Sequence, residues 1–123
     1  MSDVERPEEP VLSAPGEGER FVRDNRTVTI KVDLPELSVL EIEFDDTFEV
    51  PPHTHDDQID GFYVITGDVE FVSGEEIVTG GPGTVFVAPR GARHGFRNAG
   101  SSRAKVLNFH VPDAGFAERI RSG

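Results

Sequence analysis

Short runs of alternating apolar and polar residues, each closed by glycine, proline, serine or asparagine, fill this chain from Phe21 onward and constrain its fold more than any other feature. Thr27-Val-Thr-Ile-Lys-Val32 alternates with period two, as does Leu40-Glu-Ile-Glu-Phe44. That period belongs to a strand with one buried face. Further strands are expected at Phe62–Thr66, Val69–Val72, Glu76–Thr79, Thr84–Ala88 and Val106–Val111. Turn residues separate them at Thr66-Gly67-Asp68, Ser73-Gly74-Glu75, Gly80-Gly81-Pro82-Gly83 and Asn98-Ala-Gly100. Many short strands at this spacing predict an all-β sandwich or barrel. One short helix should close the chain, with Asp113 as its cap. Phe116 and Ile120 would share its apolar face, and Arg119 and Arg121 would suit its negative end.

A chain of 123 residues has room for one such domain. Residues 1–18 stand apart, with Pro7, Pro10, Pro15, Gly16 and Gly18 among four glutamates. This segment is expected to be either a disordered arm or a strand added to a neighbouring sheet edge, anchored by Val11 and Leu12. Residues 19–123 form the domain. Twelve basic against 23 acidic residues give a net charge of −11, which argues against nucleic acid or an anionic membrane as partner. No apolar run approaches the ~18 residues of a membrane span, and the acidic, proline-rich start is unlike a signal peptide. The expectation is a soluble, cytoplasmic protein. Acidic residues fill Asp33 to Glu76, whereas Arg90, Arg93, Arg97, Arg103 and Lys105 fall together. These blocks are either two solvated faces or the complementary rim of a homodimer.

The chain has no cysteine, so any metal must be held by nitrogen and oxygen. Four histidines are present, and two stand as His53-Thr54-His55 after Pro51-Pro52. In extended backbone, residues two apart point to the same side, so both imidazoles can converge on one point. Asp60, five residues on, would add a hard anionic ligand. His94 lies beyond Pro89 and Gly91, four residues before Asn98.

Two spacings are notable. His53, His55, Asp60 and Gly67 follow the pattern histidine, one residue, histidine, four residues, acid, six residues, glycine. Gly83, Pro89, Gly91, His94 and Asn98 satisfy Gly-X5-Pro-X-Gly-X2-His-X3-Asn at every position. In these motifs the chain resembles the cupin superfamily. The resemblance spans roughly Thr47 to Asn98 and implies a double-stranded β-helix, or jelly-roll barrel. It also implies one divalent metal ion per chain (Fe, Mn, Ni or Zn) held by His53, His55, Asp60 and His94. Two positions depart from the family pattern. Thr47 stands where a glycine often opens the first motif, and Asp60 replaces glutamate with a side chain one methylene shorter. Asp60 therefore ligates through an inward shift of its strand, binds through a water, or leaves the ion with three histidines. Its spacing to Gly67 favours it over the neighbouring Asp56, Asp57 and Gln58.

Other residues are candidates for the surroundings of the ion. Asn108 and His110 share one face of the last strand and either line the cavity or face solvent. Phe62 shares the face of Asp60, while Tyr63 points the other way and is assigned to packing. Arg90 and Arg93, beside His94, either clamp a substrate anion or lie exposed in a loop. No residue can be named catalytic from sequence. The resemblance implies a metal-dependent enzyme, oxygenase-like or isomerase-like, acting on a small oxygen-rich or anionic molecule. The alternative is a non-catalytic module that binds a small ligand or a metal.

Overall fold

The computed structural model describes residues 9–123. Its elements are β1 (Glu19–Val22), β2 (Arg26–Leu34), β3 (Leu37–Phe44), β4 (Glu49–His53), β5 (Ile59–Thr66), β6 (Val69–Ser73), β7 (Glu76–Gly80), β8 (Val85–Ala88), β9 (His94–Asn98), β10 (Ala104–Val111) and α1 (Phe116–Ser122). They form a six-stranded sheet, β1-β2-β3-β10-β5-β8, and a four-stranded sheet, β4-β9-β6-β7. This is the expected all-β jelly roll with a short C-terminal helix. Among the described residues, no helix is long and apolar enough to cross a membrane. The expected N-terminal arm lies in part outside the described residues. Of its remainder, Ala14 and Glu17 offer their carbonyls to Lys31 Nζ of β2, each at 2.8 Å.

Alternation explains the sandwich directly. Along β3 and β10 every second residue is buried, as a sheet with one face on a core requires. Cross-strand register then sorts the inward residues of the large sheet into rows. One row is wholly apolar, Val28, Ile42, Val106 and Val64. The next, Ile30, Leu40, Asn108, Phe62 and Phe86, contains one polar member. The third carries Ser38, His110, Asp60 and Ala88. The small sheet grades the same way, from Val50, Phe96, Phe71 and Val78 to His53, His94 and Ser73. The polar ends of both sheets therefore meet at one end of the barrel.

Below that end the core is aromatic. Phe71 stacks on Phe86 at 4.5 Å between ring centroids, and Phe96 lies 5.0 Å from Phe62 and 5.5 Å from Phe44. Burying each ring contributes roughly 1.5–3 kcal/mol, and offset or edge contacts between rings add to this.

Tyr63 stands 40% exposed on the outer face of β5, opposite Asp60, as its parity predicts. One expectation needs correction. The helix is flanked not by Asp113 but by Gly115, in a left-handed conformation. Asp113 still serves it from upstream, accepting the N–H of Ala117 at 3.0 Å and of Gly115 at 3.1 Å. Phe116 and Ile120 seat the helix on the core.

Candidate metal centre

At the polar end four side chains converge from three strands and a loop. His53 closes β4, His55 follows it, Asp60 is the second residue of β5 and His94 opens β9. β4 can carry Pro51 and Pro52 because it is an edge strand, where missing N–H groups cost no pairing. Its register against β9 shifts between Val50 and His53, and Gly95 makes the close approach possible. A Cβ on Gly95 would lie 2.6 Å from the Val50 carbonyl oxygen. The two strands close until the His53 and His94 rings stand 4.4 Å apart.

One donor atom from each of the four residues lies within 4.8 Å of all the others. His53 Nε2 is 3.0 Å from His55 Nε2. Asp60 Oδ2 is 2.9 Å from His94 Nε2 and 3.6 Å from His55 Nε2. The remaining ring nitrogens set the direction. His53 Nδ1 is 2.8 Å from the Pro51 carbonyl oxygen and His94 Nδ1 is 3.0 Å from that of Ala92. A ring that donates from Nδ1 to a carbonyl leaves its Nε2 lone pair free to ligate, the arrangement typical of metal-bound histidine. Two Nε2 lone pairs aimed at each other at 3.0 Å repel unless a proton or a cation lies between them. Three imidazole nitrogens and one carboxylate oxygen fit a divalent ion of borderline hardness.

Asp60 is oriented from behind. Asn108 Nδ2 donates to its Oδ1 at 2.7 Å and to the Gly61 carbonyl at 2.9 Å, and His110 Nε2 stands 3.3 Å from the same Oδ1. Oδ2 is thereby turned toward the histidines. Burial pushes the Asp60 pKa up, but the His94 hydrogen bond, the His110 charge and the Asn108 hydrogen bond outweigh it and leave it below the usual range. Burial pulls His94 down, yet its bonds to Asp60 and to the Ala92 carbonyl hold it above the ordinary value. His55 is lowered by burial and then by the neighbouring His53 charge. His110, sealed under Phe116 at 3.9 Å between rings, is lowered by burial to about 4.

A cavity of about 230 Å³ opens onto this cluster, lined by His53, His55, Asp60, Asn108 and His110 at one end and by Phe48, Phe62, Phe96, Phe116 and aliphatic residues elsewhere. A larger depression of about 540 Å³ around Asp24, Asp45 and Thr47 is open to solvent and collects none of the histidines. The structure thus brings Phe62, Asn108 and His110 to the site. It does not bring Arg90 or Arg93, both exposed and absent from the cavity wall. Their loop turns at Gly91, whose N–H donates to the His55 carbonyl at 2.6 Å, and Arg93 donates to the Gly74 carbonyl. The backbone of the loop faces the site while its arginines face away. The cationic side chain in the wall is Arg26. Period two places Arg26 on the inward face of Val28 and Ile30, and that signal was available in the sequence. Asn98 is a loop clamp, donating to the Phe44 and Ser102 carbonyls at 3.2 and 2.7 Å.

Residues 41–110 match the cupin domain family, and the chain belongs to that family. Solved structures agree in fold. KdgF from a Halomonas species superposes with a TM-score of 0.73 at 24% identity, over 82% of this chain and 94% of that one. An RmlC-like cupin from Shewanella frigidimarina gives 0.73 at 19% identity, over 85% and 92%. A predicted oxalate decarboxylase from Thermotoga maritima gives 0.71 at 16% identity, over 85% and 99%. Among curated proteins, none matches this sequence.

Proposed function

We propose that this cupin is a metal-dependent enzyme that holds one divalent ion per chain through His53, His55, Asp60 and His94 and acts on a small oxygen-rich or anionic molecule. The observation that carries this reading is the convergence of three Nε2 atoms on Asp60 Oδ2, with two of the rings tied back to backbone carbonyls. A bound divalent ion supplies Lewis acidity and, where it is redox-active, electron transfer to a substrate oxygen. The protein supplies the rest. Asn108 keeps the Asp60 carboxylate aimed, and His53 and His55, half-buried, sit where a ligand arriving through the cavity meets the cluster. Phe48, Phe62 and Phe96 give the cavity apolar walls that exclude water from the reacting groups.

Elemental analysis of protein purified without added metal or an affinity tag is the direct test. One ion per chain is expected, and the His53→Ala, His55→Ala, His94→Ala triple variant should lose it. Stoichiometric metal in that variant would end the assignment. Asp60→Asn tests the carboxylate separately, since it keeps the shape and removes the charge. Oxygen-rich acids, enediols and diketones assayed with Fe, Mn, Ni and Zn, in air and without it, read the chemistry. Turnover only in air supports an oxygenase, and equal turnover without air an isomerase-like route. Tight reversible binding with no turnover under any metal makes the protein a binding module instead.

The same reading includes a homodimer. Tyr63 pairs with Val85 across β5 and the edge strand β8, and Gly61 with Val87. Val85 and Val87 are 66% and 52% exposed on that outer face. An apolar edge of this kind is ordinarily covered.

A further inference from the structure

Beside the main cavity lies a smaller one of about 70 Å³, walled by Phe21, Arg23, Arg26, Arg119 and Gly123. It shares Arg26, Val28 and Ile120 with the cavity that reaches the histidines. Three arginines from two distant parts of the chain therefore meet at its side. Two of them lie on the phenylalanines that form the cavity wall. Arg26 Cζ is 5.1 Å from the Phe48 ring centre, and Arg119 Cζ is 5.3 Å from that of Phe116. A guanidinium stacked on a ring keeps its in-plane N–H groups available for an anion.

Among the described residues, the arginines in ion pairs are Arg97, with Glu70, and Arg121, with Glu19, Asp33 and Glu118. Among the described residues, Arg23, Arg26 and Arg119 have no carboxylate within ion-pair distance, a state they share with Arg20, Arg90, Arg93 and Arg103. Arg26 donates to the Asn25 side-chain oxygen at 3.0 Å, and Arg23 to the Val22 carbonyl at 3.0 Å. What sets Arg23, Arg26 and Arg119 apart is their place around the cavity wall, although Arg23 and Arg26 also line the open depression that holds Asp24 and Asp45.

We propose that Arg26 and Arg119, with Arg23 at the rim, form an anion-binding vestibule to the metal-type cavity. The ligand is then a short molecule with three parts: oxygen donors at the histidine end, an apolar middle against Phe48, Phe96 and Phe116, and a carboxylate or phosphate at the arginine end. The proposal rests on the reading of the cavity as a ligand site and assigns the ligand its second end. Arg26 and Arg119 are specificity residues in this arrangement, since they touch the ligand remote from the cluster. The field of paired arginines would also draw an anion toward a protein whose overall charge repels it.

Calorimetric titration of chelator-treated protein isolates the vestibule from the metal. The probes are benzoate, its neutral isostere benzamide, and phenyl phosphate. Benzoate or phenyl phosphate should bind about tenfold or more tightly than benzamide, and the tighter of the two identifies the anionic group. Arg26→Gln and Arg119→Gln should each remove most of that preference, and Arg26→Lys should restore part of it. Arg97→Gln, on the outer face and paired with Glu70, should leave it intact. The preference should also weaken with added salt. Benzamide binding as tightly as benzoate and phenyl phosphate, or a preference that survives both glutamine variants, overturns the proposal. Zinc titration of the same variants separates the two readings. Normal metal binding with no arginine dependence defeats the vestibule alone, whereas wild-type protein that takes up no metal defeats the metal centre and leaves the anion result standing.

Discussion

Asn108→Leu removes the side chain that aims Asp60 while keeping a similar volume, so it separates orientation from packing. Two hydrogen bonds disappear, one to a carboxylate at 2.7 Å and one to the Gly61 carbonyl at 2.9 Å. Bonds to charged groups contribute about 1.5–3 kcal/mol and neutral ones about 0.5–1.5 kcal/mol. The metal-free variant should therefore lose about 2–4 kcal/mol, or roughly 10 °C in melting temperature for a domain of this size. Asp60 also loses one of the groups that hold its pKa down, and its Oδ2 is no longer fixed toward the histidines. Metal affinity should fall by about 10- to 100-fold, as for other partners that orient a ligand. Thermal melts of chelator-treated protein and competitive zinc titration measure the two effects. A melting temperature within about 2 °C of wild type, together with unchanged zinc affinity, would refute the argument that Asn108 orients the carboxylate.

Four further outcomes are expected. Zinc occupancy should drop as pH falls below about 6.5, because imidazole must be neutral to ligate; titrations at neutral and acid pH read this, and a flat profile would tell against histidine ligands. In the metal-free protein, His110 is neutral far below its ordinary range, so the unfolded chain gains a proton that the native chain refuses as pH falls from 6.5 toward about 4. Stability should decline across that window by about 2 kcal/mol at pH 5, and urea unfolding of His110→Leu should show that share of the slope missing. Gly95→Ala drives a methyl into the Val50 carbonyl and should cost about 1–3 kcal/mol while parting His53 from His94, seen as a lower melting temperature with weaker zinc binding. Light scattering should report a dimer at micromolar concentration, and Val85→Lys with Val87→Lys should convert it to a monomer; a monomeric wild type would contradict the interface.

How much of this was legible in the chain depends on whether local spacing or pairing between distant strands decides the point. Period two located β2, β3 and β10 and grouped Asn108 with His110, and Phe62 with Asp60, on shared faces, but left open whether the face of Asn108 and His110 lines the cavity or meets solvent; the structure buries it. The two-residue step in extended backbone paired His53 with His55 locally, whereas His94 joined the cluster through the resemblance of the spacings from His53 to Gly67 and from Gly83 to Asn98 to the cupin motifs. β4 and β9 were not legible as strands, since two prolines interrupt one and the other is short and carries polar residues. Tertiary pairing makes them strands. For Arg90 and Arg93 the sequence leaves a substrate clamp and an exposed loop both open, and the structure shows the exposed loop, again through contacts that local spacing does not reveal. Nearness in sequence to a ligand says nothing about which way a loop turns, and the backbone bond from Gly91 to His55 turns that loop so that its side chains leave the site. Arg26 is 68 positions before His94, yet its strand parity points inward, and parity is the more reliable guide because the sheet enforces it. Asp60 illustrates the reverse case. Its shortness leaves three outcomes open in the sequence, and the partners that orient its carboxylate come from a distant strand, β10, where Asn108 and His110 hold one oxygen so that the other meets His94. The metal-type cluster is therefore a property of register. Strand pairing lines the polar members of both sheets up at the same end, and a one-residue slip of β5 would point Asp60 out of the barrel.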